Sequence, residues 1–344
     1  MSASPTRRPR VFVVIGCGEI ARAQHIPLVQ SRSDTLLGAV VDPNPNVKEA
    51  VPPGVSVFST LREAIDGSAA RSRPLDAAVV STPPAFSPAY IREALEAGLD
   101  VLAEKPAGMD HGVLSDLATL AAGEGLVLFA AYHSIECPAM DLSRGWVRDN
   151  GPVAEARIEW KEDAAKWHAG QEWVKGGFGV LDIVINPLSI VFDLLGATDV
   201  HLAEGSDSSP SSSELRVPEN WEGPVSGWTE LSACGSDGVE QCRISADYDW
   251  SHRGEDIWTI RFRARDGSAM EVRDGGVQMY VNGRRVTVRP TSENKIRPEY
   301  EKLYEKFMGL VDSRECDVNV LPLRVICEIL SASNIKRVHE YSLG

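Results

Sequence analysis

The stretch Val11–Ile15, followed at once by Gly16-Cys17-Gly18-Glu19-Ile20-Ala21, constrains the fold of this chain more than any other. A continuous, mostly β-branched apolar run suits a strand buried on both faces of a parallel sheet. The turn after it matches GxGxxG/A. Gly16 permits a tight turn, Gly18 lets backbone approach a pyrophosphate, and Ala21 lets the next helix pack close to the strand. A helix opening near Glu19 and Ile20 aims its free N–H groups at the phosphates. Taken by itself such a turn is more often only a turn, so the context has to carry the reading. The next strand, Leu36–Val41, ends at Asp42, about twenty residues beyond the glycines, where a carboxylate accepts hydrogen bonds from the adenosine ribose hydroxyls. That charge repels a 2′-phosphate, and Pro43-Asn44-Pro45-Asn46 supplies no arginine to receive one. NAD is favoured, with NADP as the alternative.

The alternation continues with a helix over Leu61–Asp66, a strand Ala77–Ser81, a helix Ser87–Ala97, a strand Asp100–Ala103, a helix Gly112–Glu124 and a strand Val127–Ala131. Strands and helices trading places at this spacing predict a doubly wound parallel sheet, with ligands bound off the carboxyl ends of its strands. Ser81, Thr82 and Pro83 fall at one such end, and Glu104 and Lys105 at another. Pro106 biases Lys105 toward extended geometry, which constrains where its amine points. The competing reading of Lys105 is a solvated surface charge, as for most lysines.

After Tyr132-His133-Ser134 the alternation stops. Val153–Trp160, Trp228–Cys234, Glu240–Trp250, Asp256–Ala264, Ala269–Arg273, Gly276–Val281 and Arg284–Val288 read as strands joined by turns such as Asn282-Gly283, which predicts an antiparallel sheet. Gly205–Pro218 reads as a surface loop, and Pro298–Val311 and Leu321–Lys336 as closing helices. The chain therefore divides into a nucleotide-binding domain, 1–132, and a second α/β domain, 133–344. Within the second, Val180–Leu195 reads as a helix that sets Asp182 and Asn186 one turn apart on one face. A carboxylate near a helix start and an amide before a kink at Pro187 are also ordinary structural features.

GCGEIARAQHIP, AEKPAG and GGFGVLDIVINPLS together resemble the Gfo/Idh/MocA oxidoreductases over almost the whole chain. The resemblance implies a nicotinamide cofactor in an N-terminal Rossmann domain, a C-terminal α+β domain with an open, mainly antiparallel sheet, and Lys105 and Asp182 as active-site residues. Most relatives carry histidine where this chain has Asn186. The asparagine, with the phrase Trp167-His168-Ala169-Gly170-Gln171-Glu172-Trp173, is similar to the bacterial L-arabinose and D-galactose 1-dehydrogenase branch. Oxidation of the anomeric carbon of an aldopyranose is the implied reaction. Asn186 cannot titrate, so Lys105 and Asp182 are left to carry the proton, with Asn186 orienting a hydroxyl. The branch often has a Ser-Arg pair that accepts NADP after its second strand, and Asp42 departs from that.

Sugars are held by hydrogen-bonding side chains and by aromatic faces covering C–H patches. His133, Trp167, His168, Asn186 and Trp250 are the candidates here, although a tryptophan is more often a packing residue. Two other readings stand beside the anomeric one: a dehydrogenase of an inositol or amino-sugar ring carbon, and a non-catalytic NAD-binding sensor or corepressor. A net charge of −14 disfavours nucleic acid and anionic membranes as partners. The apolar run after the N-terminal arginines is too short for an export signal, and no segment has the length of a membrane span. The six scattered cysteines form no CxxC or zinc spacing, so no metal is expected and reduced thiols in the cytoplasm are. The family resemblance further implies a homo-oligomer, a dimer or a tetramer.

Overall fold

The computed structural model describes residues 8–70, 72–204, 211–235, 239–288 and 297–343, and the chain divides into two compact units. Unit 1 holds the described residues up to Gly108, Gly112–Ala131 and the described part of Ser292–Asn319. Its strands are β1 (Arg10–Ile15), β2 (Thr35–Val41), β3 (Ser56–Phe58), β4 (Ala77–Val80), β5 (Asp100–Glu104) and β6 (Leu128–Ala131). They pair in the order β3-β2-β1-β4-β5-β6 with every neighbour parallel. A helix opens at Glu19, widens over Ala21–His25 and continues as α1 (Ile26–Ser31). The helices α2 (Leu61–Ala70), α3 (Ser87–Glu96) and α4 (His111–Gly123) complete the alternation. β4, β5 and β6 are buried along their whole length, as expected where both sheet faces are covered. This is the doubly wound sheet expected from the alternating pattern.

Unit 2 holds Met109–His111, Tyr132 onward through the large sheet, and Val320 to the end of the described chain. It opens with a short turn, His133–Glu136, followed by α5 (Met140–Asn150), β7 (Val153–Lys161), α6 (Ala164–Trp167) and α7 (Leu181–Leu195). The strands β8 (Asp199–Leu202), β9 (Ser213–Pro218), β10 (Ser226–Cys234), β11 (Glu240–Asp249), β12 (Ile257–Ala264), β13 (Ala269–Arg273), β14 (Gln278–Val281) and β15 (Arg284–Val286) follow. Along β10, β11 and β12 buried residues alternate with more exposed ones, the pattern of a sheet with one packed face.

Three expectations need correction. Ser213–Pro218 is a strand and not part of a loop: β9 pairs with β10, while 205–210 lies outside the described residues. The second predicted closing helix ends early, because α9 (Leu321–Ala332) gives way to a strand, β16 (Asn334–Val338), alongside β9. The sheet is mainly antiparallel, as expected, with β7–β11 and β9–β16 as its parallel pairs. Finally, 133–344 is not one body. The helix α8 (Pro298–Ser313) belongs to unit 1, where Tyr300, Leu303, Tyr304, Phe307 and Val311 bury one amphipathic face with Phe12, Val14 and Phe129. Their spacing puts all five on one stripe. No local pattern says which sheet that stripe covers.

No helix among the described residues is long and apolar enough to cross a membrane. None of the six cysteines is in a disulfide, and several are chemically quiet. Burial, aided by the charges of Glu240 and Glu155, pushes the Cys242 thiol up to about 12. Burial and the Asp42 charge raise Cys17. At pH 8 only about one Cys242 in 10⁴ is therefore a thiolate, the reactive form. Iodoacetamide labelling of the native protein, read peptide by peptide by mass spectrometry, is expected to leave Cys17 and Cys242 unmodified until denaturant is added. Rapid labelling of Cys242 in the native protein would contradict this.

Candidate active site

In unit 1 the turn after β1 is built by close backbone approach. Gly16 has φ +87°, and a Cβ there would lie 2.4 Å from the Ser81 carbonyl oxygen, so only glycine fits. The Gly16 N–H donates to Val41 O at 2.8 Å and the Ser81 N–H to Ile15 O at 2.8 Å, which ties the turn to the neighbouring strands. A Cβ at Gly18 would meet nothing within 4 Å. Open space beside Gly18, together with a helix start at Glu19 and Ile20, suits a pyrophosphate.

Asp42 stands just past β2 as expected. Its Oδ2 accepts the Cys17 N–H at 2.8 Å and its Oδ1 the Asn44 N–H at 2.9 Å, so the carboxylate is fixed to the glycine turn by its own backbone partners. Thr82 Oγ1 and Ser87 Oγ lie 3.0 Å apart, and Ser87 also donates to the Thr82 carbonyl. This braces the Ser81-Thr82-Pro83 loop against α3. The residues present therefore fit a dinucleotide. Gly16, Gly18, Glu19 and Ile20 would hold its phosphates, and Asp42 its ribose.

Lys105 follows β5 and is half-buried, and its peptide bond to Pro106 is cis. Glu104, grouped by the sequence with the cofactor residues, is placed differently. It is 8% exposed, with Oε1 2.9 Å from His25 Nε2 and Oε2 accepting the Lys105 N–H at 3.1 Å. Its carboxylate is turned inward, with both oxygens engaged.

In unit 2, Gly179 (φ +51°) starts α7 against the loop at 223–224, where a Cβ would lie 2.2 Å from the Pro224 carbonyl oxygen. The Val180 N–H donates to that same oxygen at 2.7 Å. Anchored there, α7 is apolar on nearly every side and buries Asp182 in its first turn, at 7% exposure. Asn186 is half-buried one turn on. Pro187 has no N–H to donate back along the helix, and Ser189 Oγ donates to the Asn186 carbonyl at 2.7 Å. The turn at His133 packs on α7, so His133 and the Asp182–Asn186 helix belong to one unit.

The Trp167–Trp173 phrase folds over a carboxylate that sequence reasoning missed. Glu162, 4% exposed, accepts the indole N–H of Trp250 at 3.1 Å and that of Trp258 at 2.8 Å. His168 Nε2 lies 3.8 Å from the same carboxylate, with its ring 4.7 Å from that of Trp250 and its Nδ1 3.3 Å from Gln171 Oε1. Trp167 donates to Asp256 Oδ2 at 3.2 Å under the Lys166 ammonium. Trp167 and His168 are half-buried, and Trp173 is 41% exposed. Trp250 is 0% exposed, so its ring has no free face for a sugar. Its expected contact role is corrected to one of support, because the end of β11 carries it beneath His168.

Comparison with known proteins places this geometry. The model of an oxidoreductase family with an NAD-binding Rossmann fold matches residues 10–132. A galactose 1-dehydrogenase from Pseudomonas fluorescens is 30% identical over 317 residues, which span 92% of this chain and 93% of that protein. The crystal structure of a D-galactose-1-dehydrogenase from Rhizobium etli superposes with a TM-score of 0.83 at 27% identity, covering 99% of this chain and 100% of the other. A 3-ketoreductase from Actinomadura kijaniata, crystallised with NADP and TDP-benzene, has a TM-score of 0.77 at 17% identity over 96% of this chain and 100% of its own, and shows the shared fold. With its glycine turn, its lysine after β5 and its full-length likeness to such a relative, the chain belongs to the Gfo/Idh/MocA family of oxidoreductases.

Proposed function

We propose that this protein is an NAD(P)-dependent sugar dehydrogenase that oxidises the anomeric C1 of an aldopyranose, of the D-galactose or L-arabinose type, to the aldonolactone. The observation that carries the reading is the 30% identity to a galactose 1-dehydrogenase across nearly the whole of both chains. The bound nicotinamide supplies the acceptor for the hydride leaving C1. The protein's own task is to take the O1–H proton as the C1–O bond becomes a carbonyl. Asn186 has no proton to exchange, so Lys105 and Asp182 carry it, and Asn186 orients a hydroxyl by hydrogen bonding. His133, Trp167 and His168 hold the ring, with Glu162 and Trp250 fixing His168 from below. Residues 1–132 supply the nucleotide half of the chemistry and the second unit the sugar half, in a cytoplasmic dimer or tetramer.

A panel of aldoses and inositols with NAD and NADP, followed by the absorbance of the reduced cofactor, tests the reading. A lactone that opens to an acid is the expected product. A stable ketone would point to a ring carbon instead, and no turnover of any polyol would remove the enzyme assignment. NAD is expected to exceed NADP in kcat/KM by on the order of tenfold or more, since Asp42 meets the extra phosphate with like charge. A clear NADP preference would mean that Asp42 does not face the ribose.

A further inference from the structure

The buried group that the proposed chemistry leaves unused lies directly behind Lys105. His25, 0% exposed at the end of the widened turn, places Nε2 2.9 Å from Glu104 Oε1 and Nδ1 3.0 Å from the Tyr304 hydroxyl. Tyr300 stands edge-on to the same imidazole at 5.3 Å. The other Glu104 oxygen accepts the backbone N–H of Lys105. Three distant parts of unit 1, namely the first helix, β5 and α8, thus converge on one carboxylate. Burial, reinforced by the Glu104 charge, raises the hydroxyls of both Tyr300 and Tyr304 well above the ordinary phenol value, so both keep their protons.

The carboxylate fixes one hydrogen of the chain. An ionised carboxylate only accepts, so His25 Nε2 carries the hydrogen that points to Glu104. On the other side of the ring, Nδ1 and the Tyr304 hydroxyl share a hydrogen bond. A carboxylate taken out of water is costly unless such donors replace its hydration, and an orienting chain of this kind also fixes its direction.

We propose that Tyr304, His25 and Glu104 form a positioning relay for Lys105. Glu104 clamps the Lys105 backbone, His25 sets the carboxylate's angle, and Tyr304 holds the other ring nitrogen of His25. The relay rests on the reading of Lys105 as the proton-handling amine. Its value is geometric: a misplacement of about 1 Å at a reacting group can cost on the order of 10²-fold in rate.

The test is a double-mutant cycle in the full-length protein with NAD and D-galactose or L-arabinose. Glu104→Gln is expected to lower kcat by about tenfold or more while KM for NAD moves less than about twofold. In a Lys105→Ala background the same change should leave the residual kcat/KM nearly unaltered, although its effect on Tm is the same in both backgrounds. A role in folding alone would instead lower Tm and activity together, whatever stands at position 105. His25→Gln, whose amide still donates to Glu104, should retain more kcat than His25→Leu at a similar loss of Tm, which keeps the idea testable if Glu104→Gln folds poorly. Parental kcat in Glu104→Gln beside a crippled Lys105→Ala overturns the relay only. Parental turnover in Lys105→Ala overturns the reading of the lysine, and the relay with it.

Discussion

Replacing Lys105 or Asp182 by alanine is expected to lower kcat/KM by on the order of 10² or more, the scale of lost general acid–base catalysis, in proteins that stay folded. The reasoning runs through Asn186. With asparagine in place of a histidine on the helix, the amine and the carboxylate are the groups assigned the proton leaving the sugar hydroxyl. Asp182 is also where a purely structural carboxylate would sit, in the first turn of α7 with the helix dipole behind it. The two roles separate experimentally. A dipole partner is worth about 0.3–1 kcal/mol of stability and nothing in turnover, so Asp182→Asn would then cost little in kcat. An acid–base carboxylate gives the opposite pattern: Asp182→Asn keeps the shape and loses the rate. Steady-state kinetics beside thermal melts decides between them, and near-parental turnover in either alanine variant would remove that residue from the mechanism.

The second large effect is expected in stability. Glu162→Ala strips the acceptor from two indole N–H groups, that of the fully buried Trp250 and that of the half-buried Trp258. Each orphaned donor costs about 1–3 kcal/mol, so a total near 3 kcal/mol is expected, seen as a drop of roughly 10 °C in the melting temperature. Glu162→Gln keeps one carbonyl oxygen and turns its amide against the other indole, and should fall between the two. Because His168 leans on Trp250, KM for the sugar should rise in both variants while KM for NAD stays put. A melting curve that matches the parent's would mean that solvent satisfies the indoles and that the carboxylate is not their keeper.

The parts of the fold legible in the sequence are those whose signal is local. The run before Gly16, the alternation up to Ala131 and the apolar stretch of α7 each declare themselves within one element, and so does the spacing that sets Asp182 one turn from Asn186. The parts that were not legible depend on partners far along the chain. Ser213–Pro218 ends in proline and follows a serine-rich segment, so nothing nearby reveals that β16 will come alongside it. Asn334–Val338 reads as the tail of a helix because its strand character is supplied by that pairing. His25 meets Glu104 across 79 residues, and Glu162 meets its two tryptophans across 88 and 96. A buried polar residue signals only that it needs a partner, and three-dimensional closure decides which one.

The return of α8 to the nucleotide-binding half bears on the order of assembly. Tyr300, Tyr304 and Phe307 close over Phe12 and Phe129 from the far end of the polypeptide. During synthesis, the first six strands therefore wait with one aromatic flank bare until some three hundred residues have emerged, and β7–β15 are made in the interval. The half that is translated first thus gains its last layer only after most of the second unit exists, with α9 and β16 still to come.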